Sequence, residues 1–438
     1  MYLRFWGTRG SIATPGPSTN KFGGNTSCVE VVSNSGTRVI FDCGTGARLL
    51  GAHLMAHAPK PIEALIMLSH THWDHIQGFP FFAPLFVPGN RFTVCGPKGA
   101  NASIPEVLAG QMEYTYFPVE LSQLGAEISY KSIGEGHKEI DDVRLSNELL
   151  NHPAIAFGYR VEADGASILY LCDHEPYWEP LWHSDATPGK IESILHDGDR
   201  RHALFMKNAD VVIHDAQYTP EEYPAKKNWG HSTYTYVTQI AATAGVKRLF
   251  LTHHDPTHDD AFLDEIEQKA QALARSIGSD MQVFCAREGY EESFEGDRAG
   301  TIEAAGVKGG VRHIRSLRVL IVDDDEDLRV LAKKALVRSG HEVREAGSGE
   351  EGLALVDSWR PELLLLDLNM PGMDGFDVLR ALRERTDRLP VIVLTAMGDE
   401  ESARGSFQLG ATDFLTKPFT PPQLDARVRA CFAHSASA

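Results

Sequence analysis

The amino-acid sequence predicts an α/β protein built as two units, and three features of its 438 residues carry that expectation. Residues 2 to about 285 are short apolar runs, many closing on a polar residue and separated by glycine-rich turns, with helix-like stretches increasing along the chain. Residues 317–438 alternate buried, strand-like runs with amphipathic helices, the order of a doubly wound parallel sheet. Between them, residues 291–316 collect Gly296, Gly300, Gly306, Gly309 and Gly310 among charges, without a sustained apolar period, and read as a linker. The expected division is 1–290, 291–316 and 317–438, each flanking piece long enough to bury its own core.

In the first unit, residues 1–6 alternate as an edge strand does. Further strands are expected at 28–32, 37–41, 64–68, 92–95, 156–161, 167–172, 211–213 and 248–251, where β-branched and other apolar residues run together. In the second, a strand at 319–322 precedes a helix whose apolar positions Leu328, Leu331, Ala332, Ala335 and Leu336 share one face. Strands at 363–366, 391–394 and 414–416 complete the alternation.

Composition narrows the function. Apolar content of 42% and charged content of 23% are globular values. A formal net charge of -18, with no long run of Lys and Arg, repels polyanions, so nucleic acid is not an expected partner. Six scattered cysteines form no CxxC pair and read as buried thiols, which suits a reducing compartment. The first residues lack the basic flank and apolar core of a secretion signal, and no apolar run approaches membrane-spanning length. A cytoplasmic protein without a membrane partner is expected.

His70-Thr71-His72-Trp73-Asp74-His75 directly follows the strand at 64–68, placing three imidazoles and a carboxylate within six residues of a strand end. In an extended segment His70 and His72 point the same way and can bind one ion, while the turn at Asp74 and His75 presents a second pair. A binuclear centre is the natural outcome.

This run resembles the HxHxDH motif of the metallo-β-lactamase superfamily, and the likeness extends over residues 1 to about 290. The resemblance implies an αββα sandwich and supplies further ligands: His152 in Asn151-His152-Pro153, Asp173 after Cys172, and His253 after Thr252. By it, His70, His72 and His152 hold one ion, Asp74, His75 and His253 the other, and Asp173 bridges. Imidazole-rich ligation favours zinc, with manganese or ferrous iron as alternatives. Asp42, closing an apolar strand before Gly44 and Gly46, is expected to support the ligating histidines from behind.

Superfamily membership leaves the substrate open. Ile213-His214-Asp215-Ala216 and Trp229-Gly230-His231-Ser232-Thr233 resemble paired elements of the ribonuclease Z and small-phosphodiesterase branch, where a carboxylate orients a histidine that protonates the leaving oxygen. Asp215 and His231 match those roles, so Asp74, Asp215 and His231 are the expected catalytic set of a metal-dependent phosphodiesterase. Residues 153–172 hold only a hairpin where ribonuclease Z carries a long tRNA-gripping arm, which shifts the expected substrate to a small phosphodiester, a 3′,5′-cyclic nucleotide first. Tyr177, Trp178, Trp182 and Phe205 are candidates for stacking on a purine, and Arg9, Lys226 and Lys227 for holding phosphate. A ribonuclease Z-like endonuclease and a non-catalytic metal-binding output domain are the alternatives.

In the second unit, Asp323 and Asp324, Asp367, Thr395 and Lys417 all stand at strand ends, which converge in a doubly wound sheet. The run Leu366-Asp367-Leu368-Asn369-Met370-Pro371-Gly372-Met373-Asp374-Gly375 strongly resembles the receiver domain of bacterial response regulators, a (βα)5 fold, across 317 to about 436. The resemblance implies that Asp367 accepts a phosphoryl group, that Asp323, Asp324 and the Asn369 carbonyl hold Mg²⁺, and that Thr395 and Lys417 contact the phosphate. It also implies a histidine kinase or phosphotransfer partner in a two-component phosphorelay. Control of hydrolysis by phosphorylation, through docking or homodimer formation, is the expected consequence.

Overall fold

A computed structural model gives the fold and describes residues 1–97, 102–182, 190–294, 316–385, 389–396, 405–406 and 409–433. The chain divides into two compact units, Met1–Val311 and Arg312–Ala438.

The first unit holds two seven-stranded sheets. One runs β14 (Glu291–Ser293), β1 (Tyr2–Gly7), β2 (Cys28–Val32), β3 (Arg38–Phe41), β4 (Glu63–Met67), β5 (Arg91–Pro97), β6 (Glu127–Ile133). The other runs β13 (Gln282–Cys285), β12 (Arg248–Thr252), β11 (Val211–Asp215), β10 (Ala166–Leu171), β9 (Phe157–Ala163), β8 (Val143–Leu149), β7 (Gly136–Ile140). Their inner faces meet through aromatic rings: Phe41 stacks on Tyr170 at 5.1 Å, and the Tyr159 hydroxyl donates to the Leu68 carbonyl at 2.6 Å.

Central strands are buried on both faces, which is why they read as unbroken apolar runs. In β12, Leu249 and Leu251 pack with residues of α5 (Tyr234–Thr243) and α6 (Asp260–Ser276), while Phe250 turns inward against Phe5 at 5.2 Å. Each such side chain contributes about 1.5–3 kcal/mol on full burial. Residues of α1 (Gly46–His57) and α3 (Ile104–Gln111) cover the first sheet in the same way, so the layers run helix, sheet, sheet, helix.

Parallel pairing sets the position of the site. β3 runs parallel to β4, and β10 to β11 and β12, so their carboxyl ends finish on a common edge. Asp42, His70, Asp173, Asp215 and His253 stand at or just beyond those ends.

Two expectations change. β1 is not an edge strand, because β14 pairs with it antiparallel, Tyr2 opposite Ser293. Residues 291–293, read as the start of the linker, are that covering strand, and 295–315 lie outside the described residues. Strands β6, β7 and β8 were not expected: β6 and β7 are edge strands whose exposed polar residues hide the period, whereas in β8, an interior strand, Val143 and Leu145 do alternate with Arg144 and Ser146.

The second unit is a five-stranded parallel sheet in the order β16 (Glu342–Ala346), β15 (Arg318–Val322), β17 (Leu363–Asp367), β18 (Val391–Ala396), β19 (Asp413–Lys417). Separate apolar cores cover its two faces. In α7 (Glu326–Arg338), Ala332 and Leu336 are buried as expected, but Leu331 is 43% exposed.

Candidate metal centre

The HxHxDH run leaves β4 and enters α2 (Trp73–Ile76), with His72 extended just before it. This turn brings His70, His72, Asp74 and His75 against residues from the second sheet. Asp173 lies between two groups. Its Oδ2 is 3.4 Å from His70 Nε2 and 3.7 Å from His152 Nε2. Its Oδ1 is 3.2 Å from both His75 Nε2 and His253 Nε2. Asp74 Oδ2 closes the second group, 3.3 Å from His75 Nε2 and 3.1 Å from His253 Nε2, and His72 Nδ1 joins the first, 3.3 Å from His152 Nε2.

These separations suit cations. Two ligands on a tetrahedral Zn²⁺ at about 2.0–2.1 Å stand roughly 3.3 Å apart. His70 Nε2, His75 Nε2 and Asp173 Oδ1 are buried without a hydrogen-bond partner, an arrangement that is costly unless something binds them. Burial pushes His70 well below its ordinary pKa and His152 to about 3, leaving the neutral imidazoles that ligation requires. Burial also depresses His75, but the Asp74, Asp173 and Asp42 carboxylates outweigh it and raise His75 well above the usual range. The pocket therefore favours positive charge at its centre.

Each of four imidazoles is held by its other nitrogen. Since a carboxylate or carbonyl oxygen only accepts, His75 Nδ1–H donates to Asp42 Oδ2 at 2.7 Å, His152 Nδ1–H to the Gly230 carbonyl at 3.0 Å, and His253 Nδ1–H to Gln217 Oε1 at 3.0 Å. His70 Nδ1 lies 3.1 Å from Ser69 Oγ, which itself donates to Asp42. Asp42 is the hub, accepting also from the Ser69 amide and the Tyr170 hydroxyl, each at 2.7 Å. Asp42, Asp173 and His253 all adopt left-handed backbone, φ 57°, 63° and 59°, a rare conformation that swings each side chain inward at a strand end. Asp42→Asn is expected to weaken divalent-metal affinity about ten- to a hundredfold with the fold retained, measured by competition with a chromogenic chelator.

Asp215 and His231 come together as the motifs suggest, His231 Nδ1–H donating to Asp215 Oδ2 at 2.8 Å. Asp215 is fully buried and also accepts from the amides of Gln217 and His174. Burial lowers the His231 pKa, but Asp215, Asp173 and Asp74 more than reverse this and carry it to about 9. Its ring stacks 4.8 Å from His253 and lies 5.6 Å from His152, beside both ligand groups.

Other candidates move away from the site. Arg9 is buried and spends its guanidinium on the carbonyls of Gly23, Asp255 and His258, so it is a structural clasp. Tyr177 is buried with its ring stacked on His196, and Trp182 lies in the apolar core. Gln217 and Glu175 carry no motif of their own. A side chain at Gly230, φ 90°, would meet His152 Nδ1 at 2.1 Å, so the glycine in Trp229-Gly230-His231 was the readable trace of that contact.

In the second unit, Asp323, Asp324 and Asp367 each offer an oxygen within 4.8 Å of the others. Lys417 Nζ reaches Asp323 Oδ2 at 2.7 Å and Asp367 Oδ2 at 3.1 Å, Thr395 is buried, and Asn369 is exposed.

Two family matches fall on the chain, one within each unit. Residues 37–254 match the beta-lactamase superfamily domain, and residues 319–429 the response regulator receiver domain. The transcriptional regulatory protein AfsQ1 of Streptomyces coelicolor is 45% identical over 112 residues, 26% of this chain and 49% of that protein. The DNA-binding dual master transcriptional regulator RpaA of Synechocystis is 44% identical over 115 residues, 26% of this chain and 48% of that protein. The chain thus spans about half the length of the curated relatives it matches. Among solved structures, the metallo-beta-lactamase fold protein YhfI from Bacillus subtilis is similar over 66% of this chain and 98% of that chain, at 16% identity and a TM-score of 0.46. Among the described residues no helix is long and apolar enough to cross a membrane. The chain therefore joins a beta-lactamase superfamily domain to a response regulator receiver domain.

Proposed function

We propose that this chain is a binuclear-metal phosphodiesterase acting on a small phosphodiester, with a 3′,5′-cyclic nucleotide as the first candidate, and that phosphorylation of Asp367 governs its rate. The reading rests on the Asp215–His231 pair, bonded at 2.8 Å beside the ligand cluster. An alkoxide leaves a phosphodiester poorly and needs a proton, whereas a thiolate leaves a thioester without one.

In this reading His70, His72 and His152 would hold one ion and Asp74, His75 and His253 the other, with Asp173 contributing to both. When bound, two divalent ions would polarise the phosphoryl oxygens and lower the pKa of the attacking water. The chain's own residues do the rest. Asp42, Gly230 and Gln217 hold the ligand imidazoles in one tautomer. Asp215 keeps His231 Nδ1 protonated and orients the ring, so that Nε2–H is the proton delivered to the leaving oxygen. Asp323, Asp324 and the Asn369 carbonyl would hold Mg²⁺, with Thr395 and Lys417 on the phosphoryl group of Asp367. A histidine kinase or phosphotransfer protein would supply that group.

The test is turnover of a panel of 2′,3′- and 3′,5′-cyclic mononucleotides, cyclic dinucleotides and a structured tRNA precursor by zinc- and manganese-loaded protein. Metal-dependent hydrolysis of a 3′,5′-cyclic mononucleotide that vanishes in Asp74→Ala is the expected result. Cleavage of the tRNA precursor alone would turn the reading to an endonuclease. Identical kinetics for wild type and Asp367→Ala, with and without a small-molecule phosphodonor, would remove the regulatory half.

A further inference from the structure

Two exposed indoles stand in the same chain segments as residues of the ligand cluster. Trp73 sits between His72 and Asp74 and is 78% exposed; Trp229 precedes Gly230 and His231 and is 57% exposed. The His72 and His152 rings are 5.0 Å apart and the His152 and His231 rings 5.6 Å, so each indole is one or two residues from a ring of one contiguous cluster. Single exposed rings are common on protein surfaces, and Tyr114 and Tyr116 are as exposed, so what sets these two indoles apart is their place beside ligand-bearing residues.

The exposure of Trp229 is imposed by the fold. Buried Glu175 accepts from the Asn228 amide at 2.7 Å, the Gly230 amide at 2.8 Å and the Tyr223 hydroxyl at 2.9 Å. These bonds fix the turn on both sides of the indole, with Asn228 and Gly230 in left-handed backbone. Lys226 Nζ lies 4.2 Å from the Trp229 ring centroid and adds positive charge at this rim. A rigid indole loses little entropy when a flat ring settles on it, and a cation beside it suits a phosphate-bearing ligand.

We propose that Trp73 and Trp229 form an aromatic subsite that stacks the base of a nucleotide, making the substrate a nucleoside phosphodiester instead of an alkyl or sugar-only one. This deepens the phosphodiesterase reading and rests on it for the reacting group alone, since base stacking is a binding property.

Binding separates the two claims. Zinc-loaded full-length protein is titrated with adenosine 5′-monophosphate and with ribose 5-phosphate, followed by calorimetry and indole fluorescence. The nucleotide is expected to bind about tenfold more tightly, about 1.4 kcal/mol, and to quench indole emission, because the base stacks on an indole and ribose 5-phosphate has no base to stack. Trp73→Ala and Trp229→Ala should each reduce the preference several-fold, the double variant should erase it, and Trp229→Phe should keep most of it. Equal affinity of wild type for both ligands, or binding of neither at millimolar concentration, overturns the proposal without reference to any variant. So does a full preference in the double variant. A blue shift of emission with rising protein concentration that adenosine 5′-monophosphate leaves unmoved would assign the indoles to contact with a second copy, and would overturn it too. Failure of the phosphodiesterase reading appears separately, as absent turnover of bis(p-nitrophenyl) phosphate while the base preference persists.

Discussion

Replacing His231 by alanine is expected to lower kcat for a phosphodiester with an alkyl leaving group about 10²- to 10⁴-fold. Turnover of a p-nitrophenyl ester should fall far less, because nitrophenolate leaves without a proton. Activity needs the protonated ring, so kcat should decline as pH rises through the His231 pKa. Asp215 and its neighbours, working against burial, place that pKa at about 9, and two nearby dications would draw the limb toward neutrality. The variant should lack this alkaline limb. Elemental analysis is the companion measurement, since Asp173, Asp215, His231 and His253 also offer oxygen and nitrogen atoms within 4.8 Å of one another. Unchanged metal content supports the acid; loss of an ion with His231→Ala would make His231 a ligand and end the assignment.

Asp173→Asn should have the other large effect. One oxygen of this carboxylate faces His70 and His152 and the other faces His75 and His253, so both halves of the centre share its charge. The amide keeps the shape, but only one of its two polar atoms can accept. We expect metal content to fall from two ions per chain to one or none, and turnover to drop on the order of 10³-fold, the several kcal/mol that the ions supply. Wild type should lose melting temperature when stripped by a chelator, because ions that bind only the folded chain stabilise it. The variant should lose little. Two ions retained in Asp173→Asn would contradict the bridging geometry.

Both motif-bearing stretches were legible because the chemistry is contiguous. His70 to His75 and Leu366 to Gly375 each place several functional groups at one strand end, and no long-range information is needed to see them. His152, Asp173 and His253 are single residues at separate strand ends, readable only beside the first motif. The structure places Asp173 Oδ1 3.2 Å from His253 Nε2 because β10, β11 and β12 run parallel and finish on one edge, and sets Asp173 Oδ2 3.7 Å from Nε2 of His152, which follows β8 in the same sheet.

The aromatic residues show where local reading stopped. Trp182 and Trp229 both lie in polar, loop-like sequence, and nothing in their neighbours distinguishes them, yet one is buried in an apolar core and the other stands in solvent. Burial is a property of what packs from elsewhere in the chain. The same holds for Arg9, a candidate for holding phosphate whose guanidinium donates to three carbonyls distant in sequence. Local periodicity and strand-end chemistry, which depend on neighbours in sequence, were enough for two α/β units and a candidate ligand cluster at one strand end, while the role expected of Asp367 came from the resemblance to receiver domains. Which oxygen of Asp173 faces which histidines, that Asp42 and Gly230 hold the imidazoles, and which indoles stay exposed were decided by contacts between residues up to 180 positions apart, such as Asp74 with His253 at a separation of 179, and these form only when the two sheets close on each other.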